Sequence, residues 1–430
     1  MSEKIKSIKV LKGTINIPGD KSISHRSVML GGLADFPVKV TNFLPSADCL
    51  STASCMRSLG VSVKRLGPTE LVVKGNGLRG LTEPADVLDA GNSGTTIRLL
   101  TGLLAGQPFF SVFTGDPSLR RRPMGRVITP LAKMGADVRG RGNSRYAPLA
   151  IIPTGGIKGI EYVMPMASAQ VKSAILLAGL FADGETSVTE PYLSRDHTER
   201  MLEAFGVKVS REHLTVKVTP PKTLTAPEHI DVPGDISSAA FWLVAATIIP
   251  GSKVTLKNVG VNPTRTGIID CLISMGANIT LVNQRLAGEE PVADLVVEAA
   301  ELSGVTLEAE IIPRLIDEIP VLAVAALFAK GQTIIRGAEE LRVKESDRLT
   351  TITKELTKLG AKIMETPDGL IIDGPQQLAA ANCEAHDDHR IAMAVAVAGM
   401  ASSGIEIEGA ECVAISYPDF FNEINTLRQE

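Results

Sequence analysis

The 430-residue sequence is poor in aromatic side chains, which make up 4% of it, and its net charge is only −4. So weak a charge argues against a polyanionic partner. Arg139, Arg141 and Arg145 lie in a Gly-rich stretch and could contact nucleic acid, but they are not interleaved with aromatic side chains on which bases could stack. We therefore expect a hairpin with solvated charges there and no nucleic-acid partner.

Long hydrophobic runs and signal sequences are also missing. No run approaches the roughly 20 apolar residues of a membrane-spanning helix, and the start MSEKIKSIKV lacks the apolar core of a signal peptide. The five cysteines are odd in number and show no C-x-x-C spacing, which is typical of a reducing compartment. We expect a soluble, cytoplasmic, globular protein that binds no membrane, with 44% hydrophobic and 21% charged residues.

Motifs for common cofactors are incomplete. Gly75–Gly80 matches G-x-G-x-x-G, but Pro84 follows and no helix opens there, so the match fails as a dinucleotide site. His386, Asp387 and His389 could ligate a metal, yet no further clustered His or Cys completes a ligand set. We expect no metal site.

What the chain does contain is a pattern that returns six times, at a period of roughly 70 residues. A polar cluster opens an apolar helix, a strand follows, and a polar loop then leads to an amphipathic helix that ends near a Gly. A helix that is apolar all round is buried, whereas the charged face of the second helix belongs at the surface. The apolar helices are predicted at Ser22–Ala34, Ser93–Ala105, Ser168–Ala182, Ile236–Ile249, Ile316–Ala329 and Asp388–Ala401.

Two similar segments, Ile15–Ser22 and Ile230–Ser237, indicate two domains of three repeats each. Both contain Pro-Gly, a strong breaker of helices and strands, and they lie about half the chain apart. The last repeat ends in a helix, Asp419–Leu427, and the strand-rich segment Ile5–Ile17 can supply its missing strand. We predict one discontinuous domain (residues 1–18 plus 234–430) and one inserted domain (residues 19–233).

The polar helix starts carry the basic and hydroxyl residues that an anion site needs. A helix start offers N–H groups and a partial positive charge. Each cluster alone is also explained by an N-cap with solvated charges, but together they predict a convergent anion site between the domains. Asp317, Glu318 and Glu345 lie among the cations; they could transfer protons or simply form ion pairs. The clusters are Asp20–Arg26, Asn92–Arg98, Ser168–Lys172, Arg120–Pro123, Arg195–His197, Thr264–Arg265, Lys344–Arg348 and Asp388–Arg390.

At these clusters the whole chain resembles the 5-enolpyruvylshikimate-3-phosphate (EPSP) synthase family of the shikimate pathway, which leads to aromatic amino acids. The matching motifs are Gly19–Ser22 with Arg26, Gly91–Arg98, Arg122–Gly125, Arg342–Arg348 and Asp388–Arg390. The resemblance implies an α/β (α+β) enolpyruvyl transferase fold. In it, two similar domains of three βαβαββ units each, with pseudo-threefold symmetry and buried parallel helices, close around the substrates.

The resemblance also implies the reaction, in which the enolpyruvyl group of phosphoenolpyruvate moves to the 5-hydroxyl of shikimate 3-phosphate. Phosphate leaves from a tetrahedral intermediate, without a metal or an organic cofactor. The implied partners are these two small-molecule substrates alone, and we expect a monomer.

Matching positions imply the site residues. Asp317 would accept the 5-hydroxyl proton and Glu345 would serve the methylene carbon, with Lys21 as the third catalytic residue. The implied ligands of shikimate 3-phosphate are Lys21, Ser22, Arg26, Ser168, Gln170, Arg195, Asp317 and Lys344. Those of phosphoenolpyruvate are Lys21, Asn92, Gly94, Arg122, Gln170, Arg348 and Arg390.

Details resemble the second class of the family. Ser93 and Leu99 stand where the first class has Ala and Pro, and Ile415 stands where it has a Lys, whose role cannot be carried over. Members of the second class often tolerate glyphosate, a mimic of phosphoenolpyruvate, so we expect tolerance here.

Two alternatives remain. The sister transferase acting on UDP-N-acetylglucosamine shares the fold, but its mobile loop usually holds a reactive Cys, and Gly115–Arg122 has none. A non-catalytic phosphometabolite-binding protein would have lost its acids, yet Asp317 and Glu345 are present.

Overall fold

The computed structural model describes residues 2–429. Its α-helices are α1 (Lys21–Gly31), α2 (Ala47–Ser58), α3 (Gly94–Leu104), α4 (Gly125–Lys133), α5 (Arg141–Ser144), α6 (Ala169–Gly179), α7 (His197–Ala204), α8 (Ile236–Ile248), α9 (Gly267–Ser274), α10 (Ile319–Phe328), α11 (Arg348–Lys358), α12 (His389–Met400) and α13 (Phe420–Leu427). Short 3-10 helices span Leu119–Arg121, Ile312–Arg314, Ile316–Glu318, Glu339–Val343 and Ala410–Ile415.

The strands are β1 (Ser2–Ile5), β2 (Val10–Asn16), β3 (Val38–Thr41), β4 (Ser62–Arg65), β5 (Leu71–Lys74), β6 (Leu88–Asp89), β7 (Ser111–Thr114), β8 (Asp137–Gly140), β9 (Tyr146–Ile152), β10 (Glu161–Val163), β11 (Thr186–Thr189), β12 (Val209–Glu212), β13 (Thr215–Val218), β14 (His229–Asp231), β15 (Lys253–Gly260), β16 (Asn278–Ala287), β17 (Glu290–Glu298), β18 (Thr306–Leu307), β19 (Gly331–Ile335), β20 (Ile363–Thr366), β21 (Gly369–Gly374), β22 (Ala381–Glu384), β23 (Ile405–Glu408) and β24 (Arg428–Gln429).

The six predicted apolar helices are present as α1, α3, α6, α8, α10 and α12, and they are buried nearly all round. In α8, every residue from Ile236 to Thr247 is buried. The helix α10 begins later than predicted, at Ile319, because a 3-10 turn occupies Ile316–Glu318. Pro320 in the first turn of α10 lacks an N–H and favours a helix start at that point.

Around α3, α6, α10 and α12, the strand before the buried helix pairs in parallel with the strand after it. A hairpin adds two further strands in every sheet except that of β22 and β23, as β9 and β8 do beside β7. This is the mixed α/β fold class that the sequence predicts. The strand orders are β14-β3-β5-β4, β6-β7-β9-β8, β10-β11-β13-β12, β16-β17-β15-β2-β24, β18-β19-β21-β20 and β22-β23-β1.

Two strands lie in a different sheet from the one that their sequence position suggests. The strand β2 directly precedes α1 but pairs in parallel with β15, which follows α8. The strand β14 directly precedes α8 but pairs in parallel with β3, which follows α1. The chain therefore exchanges these two strands at its Pro-Gly segments, so that each completes the sheet of the other half of the sequence.

The missing strand of the last repeat is β1, which pairs antiparallel with β23 from Ser2–Glu408 to Ile5–Ile405. The prediction gave this role to Ile5–Ile17, and for most of that segment it is wrong. Val10–Asn16 forms β2 and lies in the sheet of β15 instead. Both segments have a strand pattern, and only the pairing partner distinguishes them.

Two compact units divide the chain. One, the inserted unit, contains Gly19–Val232 and Ala287–Glu290, and the other, the discontinuous unit, contains Met1–Pro18, Pro233–Leu286 and Pro291–Glu430. Each has its own hydrophobic core. Within residues 2–429, no helix combines the length and the apolar character that crossing a membrane requires.

The Pro-Gly segments make equivalent close contacts in the two units. After β3, Asn42 adopts a φ of 52°, and Asn258 in β15 adopts a φ of 58°. A Cβ on Gly19 would lie 1.8 Å from the carbonyl oxygen of Asn42. Gly234 donates its backbone N–H to the carbonyl oxygen of Asn258 at 2.6 Å. A Cβ on Gly234 would lie 3.0 Å from the same oxygen of Asn258. Each glycine is therefore required by the close approach of a backbone oxygen.

We predict that Gly19→Ala destabilises the protein by about 2–4 kcal/mol, because the added methyl group would overlap a backbone oxygen that cannot swing aside. Gly125→Ala is the matched control: a Cβ there meets nothing within 4 Å, at the first residue of α4. It should change stability by less than about 1 kcal/mol. Thermal unfolding of both variants tests this, and equal melting temperatures would contradict it.

Near the end of the discontinuous unit, α13 packs a carboxyl group among aromatic rings. The Glu423 carboxylate accepts a hydrogen bond from the Tyr417 hydroxyl, which itself accepts one from Trp242 Nε1 at 2.8 Å. Burial raises the pKa of Glu423 to about 7, and the charge of Asp419 adds to this, although the hydrogen bond from Tyr417 opposes it. The folded state therefore binds the Glu423 proton more tightly than the unfolded chain does.

A carboxyl group with a raised folded-state pKa contributes stability at low pH and loses that contribution as the pH rises to the folded value, here about 7. Glu423→Gln cannot ionise, so it should be more stable than the wild type at pH 8 by about 1–3 kcal/mol, and less so at pH 5. Melting temperatures at both pH values test this. The exposed Glu408→Gln should show no such pH dependence, and an equal effect of Glu423→Gln at both pH values would contradict the prediction.

Candidate active site

The starts of the buried helices carry polar residues, but several are already capped by acidic or hydroxyl side chains. Asp20 accepts the N–H of Ile23 at 2.9 Å at the start of α1, and Asp388 accepts the N–H of Arg390 at 3.0 Å at the start of α12. Ser168, at the start of α6, makes no such capping bond. At α1 and α12 the binding of an anion therefore depends on the basic side chains more than on the backbone N–H groups of the helix ends.

Arg26, on α1 in the inserted unit, is buried among hydroxyl groups. Its Nε donates to Thr198 Oγ1 at 2.7 Å, its Nη2 donates to Ser173 Oγ at 2.8 Å, and its Nη1 donates to the carbonyl of Ser22 at 2.8 Å. Burial lowers the pKa of Arg26 to about 10, against the raising effect of Glu199, and the charge of Arg195 lowers it further. A buried cation with neutral partners is well suited to bind an anion.

A buried lysine joins the elements that hold these hydroxyls. On α6, Lys172 Nζ lies 2.6 Å from Glu190 Oε2 and 2.7 Å from Glu199 Oε1. Burial alone would lower the pKa of Lys172, but the two carboxylates raise it above its ordinary value. Because Glu199 follows Thr198 on α7, the ion pair fixes the position of the hydroxyl that Arg26 uses.

Lys21 is the first residue of α1, and its Nζ lies 3.2 Å from Asp48 Oδ2 on α2. It is partly exposed, at 16% of its side chain. Behind it, a buried chain of hydrogen bonds links the first three helices: His25 Nδ1 to Thr52 at 2.6 Å, and Thr52 to Thr96 at 2.7 Å. Burial, with the charges of Lys21 and Arg26, lowers the pKa of His25 well below its ordinary value. His25 is therefore neutral and has a structural role.

At the start of α3, Arg122 lies beside a glycine. Its Nη2 donates to Asn92 Oδ1 at 2.6 Å and its Nη1 donates to the carbonyl of Asn92 at 3.3 Å. A Cβ on Gly94 would lie 2.6 Å from Nη1 of Arg98 and 3.4 Å from Nη1 of Arg122. Arg98 Nη1 also donates to Gln170 Oε1 at 2.8 Å, which brings α3 and the start of α6 together.

In the discontinuous unit, the central group is the guanidinium of Arg348, at the start of α11. It is 1% exposed and contacts three carboxylates: Asp388 Oδ2 at 2.8 Å, Asp317 Oδ1 at 3.0 Å and Glu345 Oε2 at 2.6 Å. Burial opposes the charged form, but Asp388, Glu345 and Asp317 raise the pKa of Arg348 above its ordinary value. Arg348 thus holds the two predicted catalytic acids on one cation.

Two more cations face Asp317. Lys344 Nζ lies 3.7 Å from Asp317 Oδ1 and Arg390 Nη2 lies 3.9 Å from its Oδ2. Arg390 Nη1 also donates to the backbone carbonyl of Asp317 at 3.2 Å. Burial lowers the pKa of Lys344, although Asp317 opposes this. A lysine of lowered pKa beside a carboxylate is an arrangement suited to proton transfer.

The predicted residues Asp317, Lys344, Glu345, Arg348 and Arg390 lie within contact distance of one another in the discontinuous unit. The other predicted residues belong to the inserted unit, where Arg122 contacts Asn92. Sequence patterns missed the groups that hold them in place, notably Asp48 against Lys21, Ser173 and Thr198 against Arg26, and Asp388 against Arg348. Asp388 belongs to the predicted Asp388–Arg390 cluster, but its pairing with Arg348 carried no sequence signal. The hydroxyls of Ser173 and Thr198 carried no sequence signal of their own.

His386, one of the residues considered as a metal ligand, pairs with a carboxylate instead. His386 Nε2 lies 2.8 Å from Glu355 Oε1, a fully buried carboxylate that also contacts Lys358 Nζ at 2.7 Å. Throughout residues 2–429, no group of three or more His, Cys, Asp or Glu side chains is arranged to hold a metal ion.

Comparison with known proteins shows similarity along the whole chain. The family model described as EPSP synthase (3-phosphoshikimate 1-carboxyvinyltransferase) matches residues 5–424. Among curated relatives, the 3-phosphoshikimate 1-carboxyvinyltransferase of Desulforudis audaxviator is 57% identical over 431 residues and 100% of both chains. The protein of that name from Pelotomaculum thermopropionicum is 58% identical over 95% of both chains.

Solved structures agree with this. EPSP synthase from Acinetobacter baumannii superposes with a TM-score of 0.89 at 46% identity, covering 99% of this chain and 98% of that one. The enolpyruvyl transferase NikO from Streptomyces tendae has a TM-score of 0.79 at 16% identity, covering 99% and 96%, which shows a shared fold alone. The chain belongs to the EPSP synthase family.

Proposed function

We propose that the chain is a 3-phosphoshikimate 1-carboxyvinyltransferase of aromatic amino-acid biosynthesis. It transfers the enolpyruvyl group of phosphoenolpyruvate to the 5-hydroxyl of shikimate 3-phosphate and releases phosphate. Membership of the EPSP synthase family supports this. The observation that carries the proposal is the buried guanidinium of Arg348, which holds Asp317 at 3.0 Å and Glu345 at 2.6 Å among further cations.

The two acids divide the proton transfers in this proposal. Asp317 accepts the proton of the 5-hydroxyl as the hydroxyl oxygen bonds to C2 of phosphoenolpyruvate, and Glu345 in its protonated form gives a proton to the methylene carbon C3. The tetrahedral intermediate then loses phosphate, which takes up the proton held by Asp317, and Glu345 takes a proton back from the methyl group. Lys344 and Lys21 offset the negative charge that gathers on the substrates.

Arg348 must exchange a partner to bind phosphoenolpyruvate, since three carboxylates already contact it. Glu345 is the most exposed of the three, at 19% of its side chain, against 12% for Asp317 and 0% for Asp388. We propose that the carboxylate or phosphate of phosphoenolpyruvate displaces Glu345 from Nη2. This step would free Glu345 for proton transfer only when the substrate is present.

The remaining roles follow the family resemblance and the local contacts. Arg26, supported by buried hydroxyls, binds the phosphate of shikimate 3-phosphate. The other ligands of shikimate 3-phosphate are Lys21, Ser22, Ser168, Gln170, Arg195, Asp317 and Lys344. The ligands of phosphoenolpyruvate are Lys21, Asn92, Gly94, Arg122, Gln170, Arg348 and Arg390. We also propose that the two units are the two domains of the family fold, and that the enzyme acts as a cytoplasmic monomer.

We assign the chain to the second class of the family. Ser93 supports this assignment, because its Oγ accepts the N–H of Thr96 at 3.1 Å and the Thr96 hydroxyl at 2.7 Å, bonds that an Ala could not make. Ile415 supports it too, since its side chain packs partly buried against the core, where the first class has a Lys. No cation is therefore supplied by position 415.

The main test is release of inorganic phosphate from both substrates, with no metal added. The wild type should turn over, and Asp317→Asn should lose about 10²–10⁴-fold in kcat, because an amide cannot accept the hydroxyl proton. Asp373→Asn is the matched control: this aspartate is exposed on β21 in the same unit and accepts a bond from Gln332 at 2.9 Å. Its activity should equal that of the wild type.

Three other results would lead to different conclusions. Tight binding of shikimate 3-phosphate without phosphate release would indicate a non-catalytic binding protein. Release with UDP-N-acetylglucosamine in place of shikimate 3-phosphate would indicate the sister transferase. Full activity of Asp317→Asn would show that another group accepts the proton.

Glyphosate tests the class assignment. We expect the inhibition constant for glyphosate to exceed the KM for phosphoenolpyruvate, because Ile415 contributes no cation to an anionic inhibitor. Steady-state competition between glyphosate and phosphoenolpyruvate gives both values, and sulfate at matched ionic strength controls for general screening. An inhibition constant well below that KM would contradict the assignment.

A further inference from the structure

The Asn-Pro-Thr-Arg motif at residues 262–265 has no role in the reaction proposed above, yet it builds a defined turn. Asn262 Oδ1 accepts the backbone N–H of Thr264 at 2.9 Å and its hydroxyl at 2.8 Å. The N–H of Arg265 donates to the carbonyl of Asn262 at 2.8 Å. This turn directs the Arg265 side chain into the protein, where it is 2% exposed.

The buried guanidinium of Arg265 holds the start of α8. Its Nη2 donates to Asp235 Oδ1 at 2.9 Å and to Ser237 Oγ at 2.8 Å. Asp235 is also the N-cap of α8, since it accepts the N–H of Ser237 at 2.9 Å. The Arg265–Asp235 ion pair therefore fixes the direction of the Ser237 hydroxyl.

The Ser237 hydroxyl contacts Glu318, the residue that follows the proposed catalytic base Asp317. Ser237 Oγ accepts a hydrogen bond from Arg265 and donates one to Glu318 Oε1. Glu318 is 1% exposed and ends the 3-10 turn that contains Asp317. Asp317 and Glu318 are adjacent, so the bond to Ser237 restrains the turn that carries both of them.

Glu318 also faces a second proposed site residue. Its Oε1 lies 3.7 Å from Nη1 of Arg390, and the same Nη1 donates to the carbonyl of Asp317 at 3.2 Å. A buried carboxylate needs both hydrogen bonds and an opposite charge. Ser237 supplies the first and Arg390 the second, so Glu318 is placed to set the position of the Arg390 guanidinium.

We infer that Glu318 is a positioning residue for this reaction. Through Ser237 and Arg265 it fixes the turn that carries Asp317, and through its charge it aligns Arg390 for phosphoenolpyruvate. The inference rests on the proposed function. It also assigns a role to the Asn262–Arg265 motif, which holds the catalytic base in position through Ser237 and Glu318. Glu318 itself touches neither substrate in this scheme.

The test compares Ser237→Ala and Glu318→Gln with Ser238→Ala. Ser238 is the next residue on α8, is buried to the same degree (3% against 2%), and lies outside the chain of contacts from Arg265 to Glu318. Both test variants should lose about 10–100-fold in kcat and raise the KM for phosphoenolpyruvate several-fold, because small misplacements of reacting groups are costly. The control should keep wild-type values.

Two readouts separate positioning from simple loss of structure. Titration with shikimate 3-phosphate alone counts the folded, binding-competent sites from the stoichiometry at saturation. This count does not depend on Kd, which should rise modestly because Asp317 is one of the proposed ligands. Turnover is then expressed per competent site. A loss of competent sites with unchanged turnover per site would overturn the inference, because it would show a structural role only.

The double variant Ser237→Ala with Glu318→Gln gives an independent check. If the two residues act through one another, the double variant should lose no more kcat than the worse single one. Losses that multiply, or single variants with wild-type turnover, would overturn the inference while leaving the proposed function intact. Absence of wild-type turnover would instead overturn the proposed function and the inference with it.

Discussion

Six helices of this protein are buried on nearly every side, and that constraint decides where chemistry can occur. A helix such as α8, buried from Ile236 to Thr247, has no polar face to offer. Functional groups can therefore sit only at its ends or on the neighbouring loops. The repeat of strand, buried helix and parallel strand then directs the helix starts of each unit to one edge of its sheets. The polar clusters follow from this architecture.

The second consequence is that charges at these ends are largely buried and must be compensated. Arg348, Lys172 and Arg265 are each at most 2% exposed in their side chains, and each contacts at least one carboxylate. An unpaired charge at such a depth would cost several kcal/mol. Arg26 differs, since its guanidinium donates to two hydroxyls and a backbone carbonyl. Arg26 can therefore take an anionic ligand without giving up a carboxylate, whereas Arg348 must exchange one.

The sequence predicted the helices well because their signal is local. The run of apolar residues in Ile316–Ala329 is sufficient evidence of a buried helix, and only the 3-10 turn before Ile319 escaped detection. Strand partners are not local, so the pattern of Val10–Asn16 could not show that β2 pairs with β15. The same limit applies to the site. Arg348 is 31 residues from Asp317 and 40 from Asp388, and no spacing rule links them.

The starts of α1 and α8 occupy equivalent places in the two halves of the chain. Comparing them shows why a count of polar helix starts overestimates the number of binding sites. Asp20 and Asp235 are the N-caps of α1 and α8, where they accept the N–H of Ile23 and of Ser237 respectively. After the first, Lys21 keeps 16% of its side chain exposed and can meet a ligand. After the second, the next residue is Ile236, and the hydroxyl of Ser237 is enclosed by Arg265 and Glu318. The first helix start thus keeps a cation that the proposed reaction can use, while the second is an internal support. The neighbouring side chains decide which of the two uses each start serves.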